Sequence, residues 1–262
     1  MIQPLAYIHP QATIAENVVI EPFVTVYKDV VIGEGTWIGS NVTIMDGARI
    51  GKNCRIFPGA VISAPPQDLK YKGEASTVAI GDNTIIRECA TLNRGTALDK
   101  NTTTIGSNCL LMAYVHVAHD CIIGDNVIIA NSVQLAGHIE VQDFAFIGGA
   151  SAVHQFVSIG AHSIISGGSL VRKDVPPYTK AGREPLSYVG INSVGLRRRG
   201  FSSEQIYEIQ DIYRTIFLKK LNISRALDII ETEREPTEIR DEILAFIRNS
   251  NRGVMKGFGS GV

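Results

Sequence analysis

Ile123-Gly124-Asp125-Asn126-Val127-Ile128-Ile129-Ala130-Asn131-Ser132-Val133-Gln134-Leu135 is two six-residue words and the start of a third, each led by an aliphatic side chain. Read outward, the same spacing gives Ile8, Ile14, Ile20, Val26, Ile32, Ile38, Ile44, Ile50, Ile56 and Ile62. A second block runs from Ile105 through Leu111, Val117, Ile123, Ile129, Leu135, Val141, Ile147, Val153, Ile159 and Ile165 to Val171. A helix wants apolar residues every three or four positions and a strand every two, so neither explains six. Three short strands meeting at corners do. Each word becomes one side of a triangular prism with its leader inward, and about eighteen residues close a coil of a parallel β-helix. The period leaves the hand open.

The fifth letter is small or β-branched, as at Val18, Val24, Ala48, Cys54, Ala60, Val127 and Ala145, which suits a narrow interior. The second is often glycine, as at Gly33, Gly51, Gly106 and Gly124, and is expected to supply the backbone freedom of the corners. Three of the four cysteines (Cys54, Cys109, Cys121, not Cys89) hold the fifth position, and none forms a CxxC pair. Buried thiols are expected, not disulfides or metal ligands.

The 262 residues are 45% hydrophobic with a formal charge of −1, which gives no bias toward nucleic acid or a membrane surface. Met1-Ile2-Gln3-Pro4 lacks the basic start and apolar run of a signal peptide, and no segment has the apolar length of a membrane span. A cytoplasmic protein is expected.

Three departures interrupt the words. Ser63 to Glu74 is polar and proline-rich and reads as a loop thrown outward; Ala97 to Thr104 is a second excursion, after a short run led by Ile80, Ile86 and Leu92. After Asp174-Val175-Pro176-Pro177 the repeat stops and a linker runs to Gly200. Ser202-Ser203-Glu204-Gln205 then reads as a capping box. Helices are expected from Ser203 to Phe217, Ser224 to Glu231 and Thr237 to Arg248, with Gly253 to Val262 frayed. The division is 1–190 for the β-helix and 191–262 for a helical domain that caps the open prism end.

Four of the six histidines, His116, His119, His138 and His154, fall in three consecutive coils. Stacking by eighteen places Ala118, Ala136 and His154 in one column, His119, Gly137 and Gln155 in the next, and Asp120, His138 and Phe156 in a third. His116 stacks with Gln134 and Ala152. A strip so dense in imidazole selects a site over idle surface polarity, with His119 as general base or metal ligand. Asp120 could orient the His119 ring if the two sit at a corner, and Gly137 exposes a backbone N–H suited to an oxyanion. His9 and His162 fall outside the strip and read as surface residues.

The repeat, Gln67-Asp68-Leu69-Lys70-Tyr71, His116-Val117-Ala118-His119-Asp120, Leu135-Ala136-Gly137-His138, Ala152-Val153-His154-Gln155-Phe156, Asp174-Val175-Pro176-Pro177-Tyr178 and Gly195-Leu196-Arg197-Arg198-Arg199-Gly200-Phe201 together resemble the bacterial UDP-N-acetylglucosamine acyltransferases of lipid A synthesis. The resemblance covers essentially the whole chain. It implies a left-handed parallel β-helix, a homotrimer with sites in clefts between subunits, and no metal or cofactor. By the same resemblance His119 is the general base, Asp120 its assistant and Gly137 the oxyanion donor, when a 3-hydroxyacyl chain passes from acyl carrier protein to the sugar 3-hydroxyl of UDP-N-acetylglucosamine. Gln67, Asp68, Lys70, His116, His138, His154 and Gln155 would line the substrate site, and Asn192, Arg198 and Arg199 would hold the nucleotide. Gly167 would be the ruler for the acyl chain. Val194 stands where the family often carries glutamate, which removes one polar contact to the nucleotide.

Arg172, Lys173 and Arg197 are candidates for docking the acidic carrier protein. Other readings are an N-acyltransferase on a UDP-amino sugar, expected to need an N-terminal uridine-binding domain for which there is no room before Ile8, a γ-class carbonic anhydrase with zinc on His116, His119 and His138, and a non-catalytic scaffold. Neither nucleic acid nor an integral membrane location is expected.

Overall fold

The computed structural model describes residues 1–219 and 221–257. Among these, strands of mostly two residues stack into three parallel walls, whose order is wall one, wall two, wall three around each coil. Wall one has nine strands, among them Thr91–Asn93, His116–Val117, Gln134–Leu135, Ala152–Val153 and Leu170–Val171. Wall two has eight, including Ile122–Ile123, Glu140–Val141 and Ser158–Ile159. Wall three has eleven, including Ile128–Ile129, Phe146–Ile147 and Ile164–Ile165. His116 pairs with Gln134 and Gln134 with Ala152, so equivalent positions recur every eighteen residues.

The leaders from Ile20 to Val171 are buried, whereas Ile8 and Ile14 at the open first coils are half-buried. The two excursions do not break register. Each loop leaves from wall one, after Val61–Ala64 or Thr91–Asn93, and re-enters in wall two, where Ile50 pairs with Ile80 and Ile80 with Ile105, so both replace a corner without disturbing the interior. Cys54, Cys109 and Cys121 are buried free thiols, as their position implies, and burial pushes Cys121 up to about 12.

The corners work differently from the expectation. Positive φ is carried by the fourth letter, not the second: Asn17, Asn53, Asn83, Asn108 and Asn126 lie between 52° and 57°. Asparagine tolerates this region better than most side chains. The second-letter glycines serve close approach instead. A Cβ on Gly124 would lie 2.2 Å from the Asp143 carboxylate, which is held there by the N–H of Asp125 at 2.8 Å.

Beyond the coils, the expected linker is ordered. Thr179–Gly182 extends wall three and turns antiparallel into Ser187–Ile191, so the 190/191 division falls inside a strand. Helix α1, Ser193–Arg198, was not expected, being short and lacking an apolar stripe. Helices α2 (Ser203–Leu218), α3 (Ile223–Glu233) and α4 (Glu238–Arg248) match the expected spans closely, and the capping box at Ser202 and Gln205 is present. The stretch from Gly253 is also built in: Val254 and Met255 are buried, and Lys256–Gly257 pairs in parallel with Ser187–Tyr188. The rest of the stretch expected to fray lies outside the described residues. Fully buried Tyr213 of α2 donates its hydroxyl to the Pro177 carbonyl at 2.7 Å, pinning the helices over the last coil.

Candidate active site

His119 and Asp120 occupy a corner between walls one and two, with Asp120 at φ +58°. The corner turns both side chains to the same side, which an extended strand would forbid. Asp120 is fully buried and its carboxylate accepts from Thr96 N at 3.0 and 3.2 Å, Thr96 Oγ1 at 2.7 Å and His119 Nδ1 at 2.9 Å. An ionised carboxylate only accepts, so Nδ1 of His119 carries the proton and Nε2 keeps its lone pair.

Directly one coil on, Gly137 lies under the ring. A Cβ there would come within 2.7 Å of His119 Cε1 and 2.8 Å of Nε2, so glycine is what lets the imidazole lie flat over the next corner. The Gly137 carbonyl accepts from Phe156 N at 3.2 Å, and its N–H has no acceptor among the described residues.

His138 packs edge-on to His119, with centroids 4.9 Å apart at 89°, and stacks on Phe156 at 4.5 Å. Its Nδ1 lies 2.6 Å from Asp99 Oδ2. His116 bonds Thr91 Oγ1 through Nδ1 at 2.7 Å, and burial together with the neighbouring His119 lowers its pKa. His154 is exposed and turns Nδ1 to the Gln155 carbonyl at 3.1 Å, while Gln155 is exposed beside it. His119, Asp120 and His138 bring ligand atoms within 4.8 Å of one another, but the Asp120 oxygens are already taken by Thr96 and His119.

A cleft of about 1010 Å³ opens beside these corners. Asp68 and Lys70 from the first excursion, Thr96 just before the second, Asp99 and Lys100 within it, His138 and Phe156, and Glu242 and Phe246 of α4 line it. Asp68 folds its own loop, its Oδ1 accepting from Lys70 N at 2.9 Å, and Gln67 is exposed on the same loop.

The other expected residues lie elsewhere on the chain. Asn192 is buried and caps α1, its Oδ1 accepting from Gly195 N at 3.1 Å and its amide donating to the His162 carbonyl at 2.8 Å. Arg199 lies over Phe144, 5.1 Å from the ring centroid, and Arg198 is exposed beside it. This is the corner between walls two and three, across the whole width of wall two from His119. Val194 is 56% exposed, and α1 has no acidic residue in its first turn. Gly167 sits at the third corner, between walls three and one, where a Cβ would meet the Gly149 carbonyl at 3.1 Å.

His162, expected at the surface, is half-buried. It is sandwiched between Phe144 at 4.8 Å and Tyr178 at 5.6 Å, with Phe201 against its edge, and its Nδ1 is buried without a partner among the described residues. Burial and the nearby Arg199 push it down to about 4. Thr96 and Asp99 were missed as site residues. Both belong to or border an excursion that has no period, so only its position between two repeat blocks marked it. Lys173 has a structural task, donating to the Arg252 carbonyl at 2.6 Å, and Arg172 pairs with Glu184 at 3.3 Å.

Known proteins match this arrangement over its length. Residues 174–255 match the family model described as UDP N-acetylglucosamine O-acyltransferase, domain 2, and residues 29–64 and 102–137 match the bacterial transferase hexapeptide repeat. The acyl-(acyl-carrier-protein)-UDP-N-acetylglucosamine O-acyltransferase of Aliivibrio fischeri is 43% identical over 75% of both chains, and that of Herminiimonas arsenicoxydans 43% identical over 74% of this chain and 76% of its own. The structure of the UDP-N-acetylglucosamine acyltransferase from Bacteroides fragilis superposes with a TM-score of 0.96 at 52% identity, covering 98% of this chain and 100% of that one. The Francisella novicida enzyme gives 0.96 at 42% identity, over 99% and 95%. With identity, coverage and superposition at this level over the repeat and the terminal helices, the chain is a member of the UDP-N-acetylglucosamine O-acyltransferase family.

Proposed function

We propose that this protein transfers a 3-hydroxyacyl chain from acyl carrier protein to the 3-hydroxyl of UDP-N-acetylglucosamine, the first step of lipid A biosynthesis. The observation that carries the reading is the His119 ring: Nδ1 tied to buried Asp120, Nε2 free, and the Gly137 corner directly beneath it. His119 Nε2 takes the proton of the sugar hydroxyl as that oxygen attacks the thioester carbon. The carbonyl oxygen becomes an oxyanion and accepts from Gly137 N–H. Collapse breaks the carbon–sulfur bond, and the departing thiolate regains the proton from the His119 imidazolium. A thioester is already activated, so no covalent enzyme intermediate is required.

His116, His138, His154, Gln155, Gln67, Asp68 and Lys70 are proposed to hold the sugar and phosphates, and Asn192, Arg198 and Arg199 the nucleotide. Wall two separates the His119 corner from the Arg199 corner within one chain. That separation favours a site completed by a second copy, as in a homotrimer with clefts between subunits. Among the described residues no helix is long and apolar enough to cross a membrane, and we take the cytoplasm as the place of action.

The deciding experiment offers UDP-N-acetylglucosamine and UDP-amino sugars together with a mixture of acyl-carrier-protein donors and identifies products by mass spectrometry. An ester at the sugar 3-oxygen is expected, with full turnover in chelator. An amide product, or stoichiometric zinc whose removal stops turnover, would reject the reading.

A further inference from the structure

The two excursions differ in what they reach. The first reaches the cleft through Asp68 and Lys70, while the second grips two histidines at once. Thr96 holds Asp120, which holds His119. Three residues on, Asp99 Oδ2 lies 2.6 Å from Nδ1 of His138, across thirty-nine residues of chain. Both are carboxylate–imidazole pairs, one coil apart, hung on a single loop.

The geometry of the second pair is constrained on every side. The His138 side chain is 16% exposed, with Phe156 stacked on its face and His119 at its edge. Lys100 Nζ sits 3.2 Å from the same Asp99 oxygen and 3.8 Å from Glu140 of wall two, which fastens the loop to the prism. The N–H groups of Asp99 and Asn101 both donate to the Thr96 carbonyl, at 3.3 and 3.0 Å, so the loop is a closed turn. Burial opposes ionisation of Asp99, yet the bonds from His138 and Lys100 hold its carboxyl below the usual range. An ionised carboxylate accepts only, so the shared proton rests on Nδ1 and the lone pair on Nε2.

We propose that Asp99 is a positioning residue of the transfer reaction, which fixes His138 as the Nδ1–H tautomer so that its Nε2 accepts a hydrogen bond from the bound acceptor sugar. This rests on the acyltransferase reading. Without the carboxylate, the imidazole is free to move its proton to Nε2 and present a donor to a sugar hydroxyl or amide N–H that must itself donate. The effect belongs to acceptor binding, because His138 does not take the reacting proton.

The test uses the full-length protein and its Asp99→Ala and Asp99→Asn variants. Nitrogen-15 histidine spectra report the His138 tautomer directly, with no need of activity. The wild type is expected to show Nδ1–H, and Asp99→Ala to shift toward Nε2–H. In kinetics Asp99→Ala should raise KM for the sugar nucleotide roughly tenfold, leave kcat within about threefold and leave donor KM unchanged. Asp99→Asn keeps an oxygen that accepts from Nδ1, so it should recover the tautomer and most of the KM. The proposal is overturned by a wild-type Nε2–H tautomer, by an unchanged tautomer in Asp99→Ala, or by loss of kcat at unchanged KM. Equal KM impairment in the asparagine variant overturns it too, and that variant decides alone if the alanine protein does not fold. A wild type inactive on UDP-N-acetylglucosamine would sink the acyltransferase reading instead, and the spectra would still judge Asp99.

Discussion

Gly137→Ala perturbs the site by one methyl group whose position the structure defines. The added Cβ would stand 2.7 Å from His119 Cε1 and 2.8 Å from Nε2, against about 3.5–4.0 Å for unstrained carbon contact, so roughly 1 Å must be found. The backbone has little to give. The Gly137 carbonyl is held by Phe156 N at 3.2 Å, and His138 N is held by the His119 carbonyl at 3.0 Å. The ring must therefore move, and a shift of that size breaks the 2.9 Å contact with Asp120. Hydrogen bonds to charged groups contribute about 1.5–3 kcal/mol. At about 1.4 kcal/mol per decade, and with about 1 Å of misplacement costing roughly 10²-fold, kcat should fall about a hundredfold. Alanine retains the backbone N–H, so the proposed oxyanion donor survives and the loss reports the ring alone. Single-turnover transfer from acyl carrier protein, quantified by mass spectrometry at matched thermal stability, measures it. Joined to His119→Ala, the substitution should add almost nothing. A folded Gly137→Ala protein with kcat within about threefold of wild type would refute the reasoning.

His119→Ala should cost about 10²–10⁴-fold in kcat while the protein stays folded, and near-normal turnover would remove it from the base role. Gly167→Met should turn selection toward shorter donors by roughly tenfold or more in a competition assay. Two lost methylenes of groove contribute about 0.8 kcal/mol each, and an unchanged chain preference would place the groove elsewhere. Because Lys173 is tied to Arg252, the docking idea is tested by Arg172→Glu alone, which should raise donor KM at low salt and leave sugar-nucleotide KM intact. His162 is held at about 4 in the fold against an ordinary 6.5, by burial first and by Arg199 second. A lowered imidazole value means its stability is fully present above 6.5 and lost as pH falls toward 4, so Tm should drop across that window, less so in His162→Phe. An equal drop in both proteins would show that another group titrates there.

The repeat was legible because one aliphatic letter in six must face a dry interior, and the structure buries those letters from Ile20 to Val171. The His119, Gly137 and Asp120 neighbourhood followed from the same arithmetic, since stacked coils turn sequence distance into spatial contact. Where the period fails, so does the reading. Thr96 and Asp99 reach their histidines from an aperiodic loop, and nothing in their spacing announces a partner at Asp120 or His138. Helix α1 escaped because six residues carry too little periodicity to stand out, and its cap Asn192 is identified by an Asx contact to Gly195, not by a pattern. His162 was read as surface because a coil position says which corner a residue occupies, not that Phe144, Tyr178 and Phe201 close over it. The glycines were read correctly as constrained but for the wrong reason, since crowding between coils and backbone freedom leave the same letter in the sequence.

The in-register stacking makes the fold behave as a screw with two kinds of error. Ile80 still falls in line between Ile50 and Ile105 although long loops were added on either side, because each loop takes the place of one corner and delivers the chain to the wall that comes next in the coil. An insertion of one whole coil before Ile50 would lengthen the prism by about 4.8 Å and leave every active corner facing as before. A single extra hexad between His119 and Gly137 would instead turn all that follows by a third of a revolution. His119 would then lie over a corner from another wall, and the Arg199 edge would face away from its present direction. The catalytic half should therefore accept change in steps of eighteen residues and reject steps of six, although both preserve the same hydrophobic pattern.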